Sequence, residues 1–495
     1  MAGGFDSTPS GSPIARFAAQ RAECGVRRVN KPNIVFIMAD DTGYGDIACY
    51  NPESKIPTPH IDRLAAEGTM FTDAHSPCAL CTPTRYGMLT GRYYWRTPKK
   101  HSLVMPYEPP VIEPDRPTVA SMLKQRGYAT ACVGKWHLGL WYPAKDEAGY
   151  TQREENIDFS RPLDGGPIEL GFDYFFGTAG CSTSDAPYCF IENDRTVGIP
   201  SVASTEDLHE LPGFYPGLMA PDWDEMTVDT TFVEKAVEFI DRHAAARPED
   251  PFFLYVPLSA PHIPWLVPDF LVGASEEGPR GDMNVLVDWC VGQVRAALEE
   301  RGVLDDTLLI FTSDNGPHRG ENGHSSTGPY RGLKNSAFEG GHREPFVARW
   351  PGHIPAGAVS DELLCLTDLM ATLADLTGES LPEGAGEDSF SVLPALLGQG
   401  GCTPPRPAMI SDTGGHRCDL GDFAIRKGKW KLIVIPARKE GETERRHLFD
   451  LKEDPGEEDD LIEEHPSIAA DLAELLDEIK QRSSRAIECP RAGAD

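Results

Sequence analysis

The sequence predicts an α/β fold, a large and mostly parallel sheet sandwiched by helices, with a smaller C-terminal α+β unit containing an antiparallel sheet. Three observations predict it. Four short apolar runs, at 34–39, 129–133, 252–257 and 308–312, are rich in branched or aromatic side chains and bounded by turn residues, as strands buried on both faces are. Stretches of helical spacing lie between them, which is the alternation that builds parallel sheets through right-handed crossovers. Beyond about residue 408 the pattern changes to short strands in succession.

The elements follow in order. Residues 118–126 read as a helix stopped at Gly127. Residues 229–246 carry Val233, Val237 and Ile240 at helical spacing, and 282–301 carry Met283, Val287, Val291, Val294 and Leu298 before Gly302. From about 376 to 407 the chain is rich in Gly and Pro. Residues 423–426, 430–435 and 447–451 then read as antiparallel strands and 468–482 as a helix, while the acidic run 457–460 reads as a solvated loop. The predicted organisation is a flexible N-terminal segment (1–30), a main domain (31–375), a connecting segment (376–407) and a C-terminal sheet-and-helix unit (408–495).

The 495 residues are enough for a large core, and no apolar run approaches the roughly 18 residues of a spanning helix. The charge balance is the unusual number. With 46 Lys and Arg against 77 Asp and Glu, the formal net charge is −31, a field that repels polyanions and argues against a nucleic-acid binder. Twelve cysteines are too sparse for a disulfide scaffold, and their spacing fits no repeated metal module. The first thirty residues lack the apolar stretch of a secretory signal, so the expected compartment is the cytoplasm, or the periplasm or exterior if a leader was removed.

Each of the four apolar runs is followed by chemistry-bearing residues: Asp40-Asp41, then Lys135-Trp136-His137, then Ser259-Ala260-Pro261-His262, then Ser313-Asp314-Asn315-Gly316. In parallel sheets ligands gather outside the carboxyl ends of the strands, so these four groups are expected at one edge. Asp40, Asp41, Asp314 and Asn315 offer oxygen donors alone, which suits Ca²⁺ or Mg²⁺ better than Zn²⁺. A tight turn would explain either dipeptide by itself; the two together favour a metal.

Cys81-Thr82-Pro83-Thr84-Arg85 fits a Cys-x-Pro-x-Arg signature, with Thr84 where Ser is commoner. Here the chain resembles the formylglycine-dependent sulfatases of the alkaline phosphatase superfamily. Asp40-Asp41, Gly134 to His137, Pro261-His262, Ser313 to Gly316 and Lys334 before Glu339-Gly340-Gly341 match that family in order, and the tail resumes the match at 425–432 and 448–455. The resemblance implies that residues 31–375 form the catalytic domain and that a formylglycine-generating enzyme oxidises Cys81 to formylglycine (3-oxoalanine). The aldehyde then hydrates, and one hydroxyl attacks the sulfur of a sulfate monoester. It further implies a divalent cation on Asp40, Asp41, Asp314, Asn315 and residue 81, and sulfate oxygens clamped by Lys135 and Lys334. Arg85 would hold the diol and its loop, His262 would protonate the leaving oxygen, and His137 would deprotonate the second hydroxyl so that sulfate leaves.

Substrate contacts are expected from residues 178–195, with Asp185 and Tyr188 as candidates, and from His318 at the mouth. Tyr188, Phe190, Trp136 and Trp265 are candidates to stack on an aryl or sugar ring. The local charge, a divalent cation with Arg85, Lys135 and Lys334 against three carboxylates, is positive, which suits one small or chain-end sulfate ester despite the global −31. Two rivals stand beside this reading. A phosphonate or phosphate ester hydrolase of the same superfamily shares the signature, although such relatives commonly carry Asp-His where this chain has Asp314-Asn315. A sulfated-glycan binding protein would have no use for a nucleophile and a leaving-group acid. Cys78 and Cys81 as a redox pair or half a zinc site lack the sequence context either would need. Oligomeric state is left open.

Overall fold

A computed structural model describes residues 31–146, 149–381, 384–399, 406–415, 421–439 and 441–482. The N-terminal segment 1–30 lies outside the described residues. The main sheet is built from β1 (Asn33–Ala39), β2 (Thr69–Phe71), β3 (Ala129–Lys135), β4 (Tyr174–Thr178), β5 (Phe190–Glu192), β6 (Arg195–Val197), β7 (Phe252–Pro257), β8 (Thr307–Ser313), β9 (Phe346–Arg349) and β10 (Ala358–Ser360). Its order is β10-β2-β9-β8-β1-β7-β3-β4-β5-β6. The five central strands, β8-β1-β7-β3-β4, are parallel throughout. The four apolar runs are four of these five, which is why their sequences are apolar on both faces.

Helices cover both faces: α1 (Pro59–Glu67), α2 (Cys81–Thr90), α3 (Val119–Lys124), α4 (Val228–Ala246), α5 (Pro279–Glu300) and α6 (Leu369–Leu376). Alternation along β1 divides the core in two. Ile34, Phe36 and Met38 pack with residues of α2, α3 and α6; Val35, Ile37 and Ala39 pack with residues of α1, α4 and α5. A second sheet follows, antiparallel, in the order β11 (Met409–Asp412), β12 (Phe423–Lys427), β13 (Trp430–Ile435) and β14 (Arg445–Asp450), and α7 (Pro466–Gln481) packs on it. The predicted fold class is the observed one.

Three expectations change. The helix expected at 118–126 is shorter, because Thr118 is its N-cap, accepting from Ser121 N, and the chain turns at Gln125 toward Gly127 at φ 84°. The strand Met409–Asp412 had no signal of its own: four residues after a Gly- and Pro-rich stretch are too few for a periodicity. The acidic run at 457–460 is not wholly solvated. Glu457 is fully buried, accepts from Glu339 N at 2.6 Å and pairs with Lys431 at 2.8 Å. A buried Lys431 needs acidic partners, and that requirement overrides the tendency of an acidic run to stay in water.

Candidate active site

The carboxyl ends of β1, β3, β7 and β8 meet at one edge, and each delivers the residues that follow it. Register holds them together: Asp40 N donates to Ala260 O at 3.0 Å and Asp314 N to Ala39 O at 3.1 Å. Into this edge points the first turn of α2, whose ten residues are all buried. Leu80 is extended and the helix starts at Cys81, so Pro83 falls in the first turn, where its missing N–H costs nothing. The Thr84 hydroxyl donates to Cys78 O at 2.9 Å, and the Thr82 hydroxyl to His137 O at 3.0 Å. The hydroxyl at position 84 therefore ties the helix start to the strap before it, and the helix directs its positive end toward the Cys81 position.

Around the Cys81 sulfur lie Asp40 Oδ1 at 3.6 Å and Lys334 Nζ at 3.6 Å. Asp40, Asp41, Cys81 and Asp314 bring one ligand atom each within 4.8 Å of one another, all buried. Asn315 Nδ2 donates to Asp41 Oδ1 at 2.6 Å and to Gly316 O at 3.0 Å. Asp41 Oδ2 and Asn315 Oδ1 are buried without a hydrogen-bond partner, His318 Nε2 standing 3.4 Å from the former. Orphaned buried oxygens beside three carboxylates fit a hard divalent cation, and the donor set is the oxygen-rich one expected.

Three cations neutralise the carboxylates. Lys135 Nζ bonds Asp40 Oδ2, and Lys334 Nζ lies 2.5 Å from Asp41 Oδ1. Arg85 is wholly enclosed and spends its fork on this framework: Nη2 reaches Asp314 Oδ2 at 2.8 Å and Asp40 Oδ2 at 3.1 Å, and Nη1 donates to Lys135 O at 2.9 Å. These contacts give Arg85 a role in the framework beside the expected one of holding the diol and its loop. It locks the carboxylate ends of two strands, since two acids this close need a shared counter-charge. Burial pushes the Asp41 carboxyl up, but Lys334, His262 and His318 together outweigh it and hold the group well below the usual range. Asp314 moves the other way, raised by burial and by its neighbour Asp40.

The two histidines are oriented by carbonyl oxygens, which can only accept. His262 Nδ1 lies 2.6 Å from Ile263 O and so carries a proton, leaving Nε2 toward the site, 4.0 Å from Asp41 Oδ2. His137 Nε2 lies 3.1 Å from Val104 O, which leaves Nδ1 facing Cys181 Sγ at 3.9 Å.

Above the edge opens a cleft of about 520 Å³. His137, His262, His318, Lys334 and Asp185 line it. Tyr188 does not: it is fully buried, stacked on Phe214 and bonded through its hydroxyl to Tyr215 O at 2.5 Å. Trp136 and Phe190 also belong to packed clusters, and Trp265 turns its indole N–H onto Pro261 O at 3.1 Å. Aromatic rings here fill the core, where their area is worth most. Tyr215, Asn335, Thr413, Asp422 and Arg438 line the cleft without having been singled out in the sequence. They come from loops distant in sequence, with no local pattern to mark them.

The chain matches the family described as Sulfatase over residues 32–379, and the family described as N-sulphoglucosamine sulphohydrolase, C-terminal, over residues 333–483. It is 34% identical to an N-acetylgalactosamine-6-O-sulfatase of Bacteroides thetaiotaomicron, covering 91% of this chain and 94% of that one. It is likewise 34% identical to human arylsulfatase A, covering 95% and 90% respectively. A solved sulfatase structure concerned with glycosaminoglycan metabolism by Bacteroides thetaiotaomicron superposes with a TM-score of 0.79 at 33% identity, over 92% of this chain and 100% of that one.

Proposed function

The chain belongs to the sulfatase family of sulfuric ester hydrolases, and on that premise we propose that it removes sulfate from a sulfated sugar, taken at the end of a chain or as a small unit. The observation that carries this is the convergence of Cys81, three carboxylates, three cations and two histidines beneath one cleft. Its volume of about 520 Å³ and its Ser184, Asp185, Asn335 and Thr413 lining suit hydroxyl-rich ligands. Two relatives named for N-acetylgalactosamine-6-sulfate esters support the sugar reading.

Asp40, Asp41, Asp314 and Asn315 would hold Ca²⁺ or Mg²⁺, which withdraws charge from a bound sulfate, while formylglycine at position 81 supplies the nucleophile. The remaining roles fall to the chain's own groups. Lys334 Nζ, beside the Cys81 sulfur, sets a positive charge against the sulfate oxygens. Lys135 is fully buried against Asp40 and adds positive potential from below. His262, with Nε2 facing the site, donates the proton that the departing sugar oxygen needs, and His137 receives one through Nδ1. Arg85 keeps the carboxylates in register.

Initial rates on sulfated monosaccharides, 4-nitrophenyl sulfate and the corresponding phosphate and phosphonate esters test the reading. The expected order places sulfate esters first, and a higher catalytic efficiency on phosphorus esters would overturn it. Peptide mass spectrometry is expected to find the Cys81 peptide lighter by about 18 Da, a change off the ordinary cysteine oxidation ladder. Chelation followed by Ca²⁺ or Mg²⁺ is expected to remove and restore turnover.

A further inference from the structure

The sequence sets Cys81 beside Cys78, but the fold turns those two thiols to different partners. Cys78 is buried next to β11, where its backbone bridges to Asp412. Cys81 lies between Asp40 and Lys334 beneath the cleft, and Cys181, carried by the loop after β4, lines that cleft. Cys181 N donates to Asp185 Oδ2 at 3.1 Å, which fixes that loop over the floor. Both sulfurs converge on one ring: Cys181 Sγ lies 3.7 Å from His262 Nε2, and Cys81 Sγ lies within 4.8 Å of the same histidine. Its neighbour Cys181, with burial, pushes the Cys81 thiol up. Cys181 Sγ also lies 3.9 Å from His137 Nδ1.

We propose that Cys81 and Cys181 form an oxidant-sensitive dithiol in every chain whose Cys81 remains a cysteine, and that hydrogen peroxide closes the pair into a disulfide across the floor of the cleft. The Cys181 sulfur attacks a peroxide oxygen, giving a sulfenic acid; the expelled hydroxide takes up the Cys181 thiol proton and leaves as water. The Cys81 sulfur then attacks the sulfenic sulfur, the S–S bond forms, and the sulfenic oxygen leaves as a second water with the Cys81 proton. One peroxide is reduced and two thiols are oxidised. Cys181 lines the cleft, so a small oxidant reaches it, whereas Cys132 and Cys290 are enclosed in the two halves of the core. The bridge would join α2 to the loop over it and leave no room for a sulfate at Cys81. The inference does not rest on the sulfatase reading, because it concerns the thiols alone.

The experiment uses the full chain produced without formylglycine-generating activity, with an intact Cys81 thiol verified by mass. Hydrogen peroxide treatment, alkylation of remaining thiols and peptide mapping without reductant are expected to yield a cross-linked species. It joins the Cys81 and Cys181 peptides, is lighter than their sum by two hydrogens, and is absent after dithiothreitol. C78A is expected to keep the cross-link and C181S to lose it. A Cys78 to Cys81 link, or recovery of Cys81 and Cys181 in separate peptides after peroxide, would overturn the proposal. The map of the unsubstituted chain decides the matter even if a variant folds poorly.

Discussion

The His262 ring has one nitrogen committed to Ile263 O and the other turned toward the site, so a proton leaves this residue from Nε2. How much that proton matters depends on the leaving group. His262→Ala is expected to lower kcat/KM on a sugar sulfate by roughly 10²–10⁴-fold, the usual range for a lost general acid. The loss should be much smaller on 4-nitrophenyl sulfate, whose phenolate departs unassisted. Equal losses on both would remove His262 from the proton-donating role. At this scale the sequence was informative where polar residues follow apolar runs, as at Asp40-Asp41 and Asp314-Asn315, because an edge of a parallel sheet collects them. It was uninformative for Tyr188 and Trp136, since the side of the chain wall on which a ring sits is decided by packing between distant segments. Arg85 shows a third case: the residue was found, but its partners Asp40 and Asp314 are known only from the fold.

Helix α1 begins with Pro59, and its next N–H groups would be orphaned without the carboxylate of Asp288 on α5, which accepts from His60 N at 3.0 Å and Ile61 N at 2.8 Å. Burial raises this carboxyl to about 7 despite those two donors. In the unfolded chain the same group ionises near its ordinary value of about 3.9. The folded state therefore binds the extra proton between those values. The contribution of Asp288 is complete below the lower value and is lost as pH rises through about 7. Asp288→Asn, neutral at every pH, is expected to flatten the fall in melting temperature between pH 5 and pH 8. An unchanged slope would show that Asp288 is ionised throughout. The long elements α4 and α5 were legible from their spacing, and the strands β7 and β8 from their apolar character. Strand β11 was not, because its place is set by pairing with β12 and with the strap before Cys81, both far from it in sequence.

Across the whole molecule the antiparallel sheet is a structural part of the site. Lys431 on β13 is buried and reaches Glu339 at 2.9 Å, Glu457 at 2.8 Å and His342 Nε2 at 3.1 Å, while Arg426 on β12 pairs with Asp73 at 2.5 Å. His75, just before the Cys81 strap, closes the network through Asp73 at 2.8 Å and His342 at 3.1 Å. Lys431→Met is expected to destabilise the chain by about 3–5 kcal/mol in urea unfolding, the usual cost of stripping one partner from a buried ion pair. A change below about 1 kcal/mol would mean that the acids find other partners or take up protons. None of this joint was legible from sequence, because the acids and bases it unites are ordinary surface types whose burial is a property of the assembled sheets.

That joint also sets a clock. The strap leading to Cys81 is sealed by β11, through Ala79 N to Asp412 O at 2.8 Å and Ser411 Oγ to Ser76 O across 335 residues of chain. At a synthesis rate of about 5–20 residues per second, the segment around Cys81 leaves the ribosome roughly 20–70 s before its seal exists. In the finished fold no residue of Cys81 to Arg85 is exposed. A large enzyme acting on Cys81 therefore has its access during that interval, and the length of chain between the strap and its seal fixes how long the interval lasts.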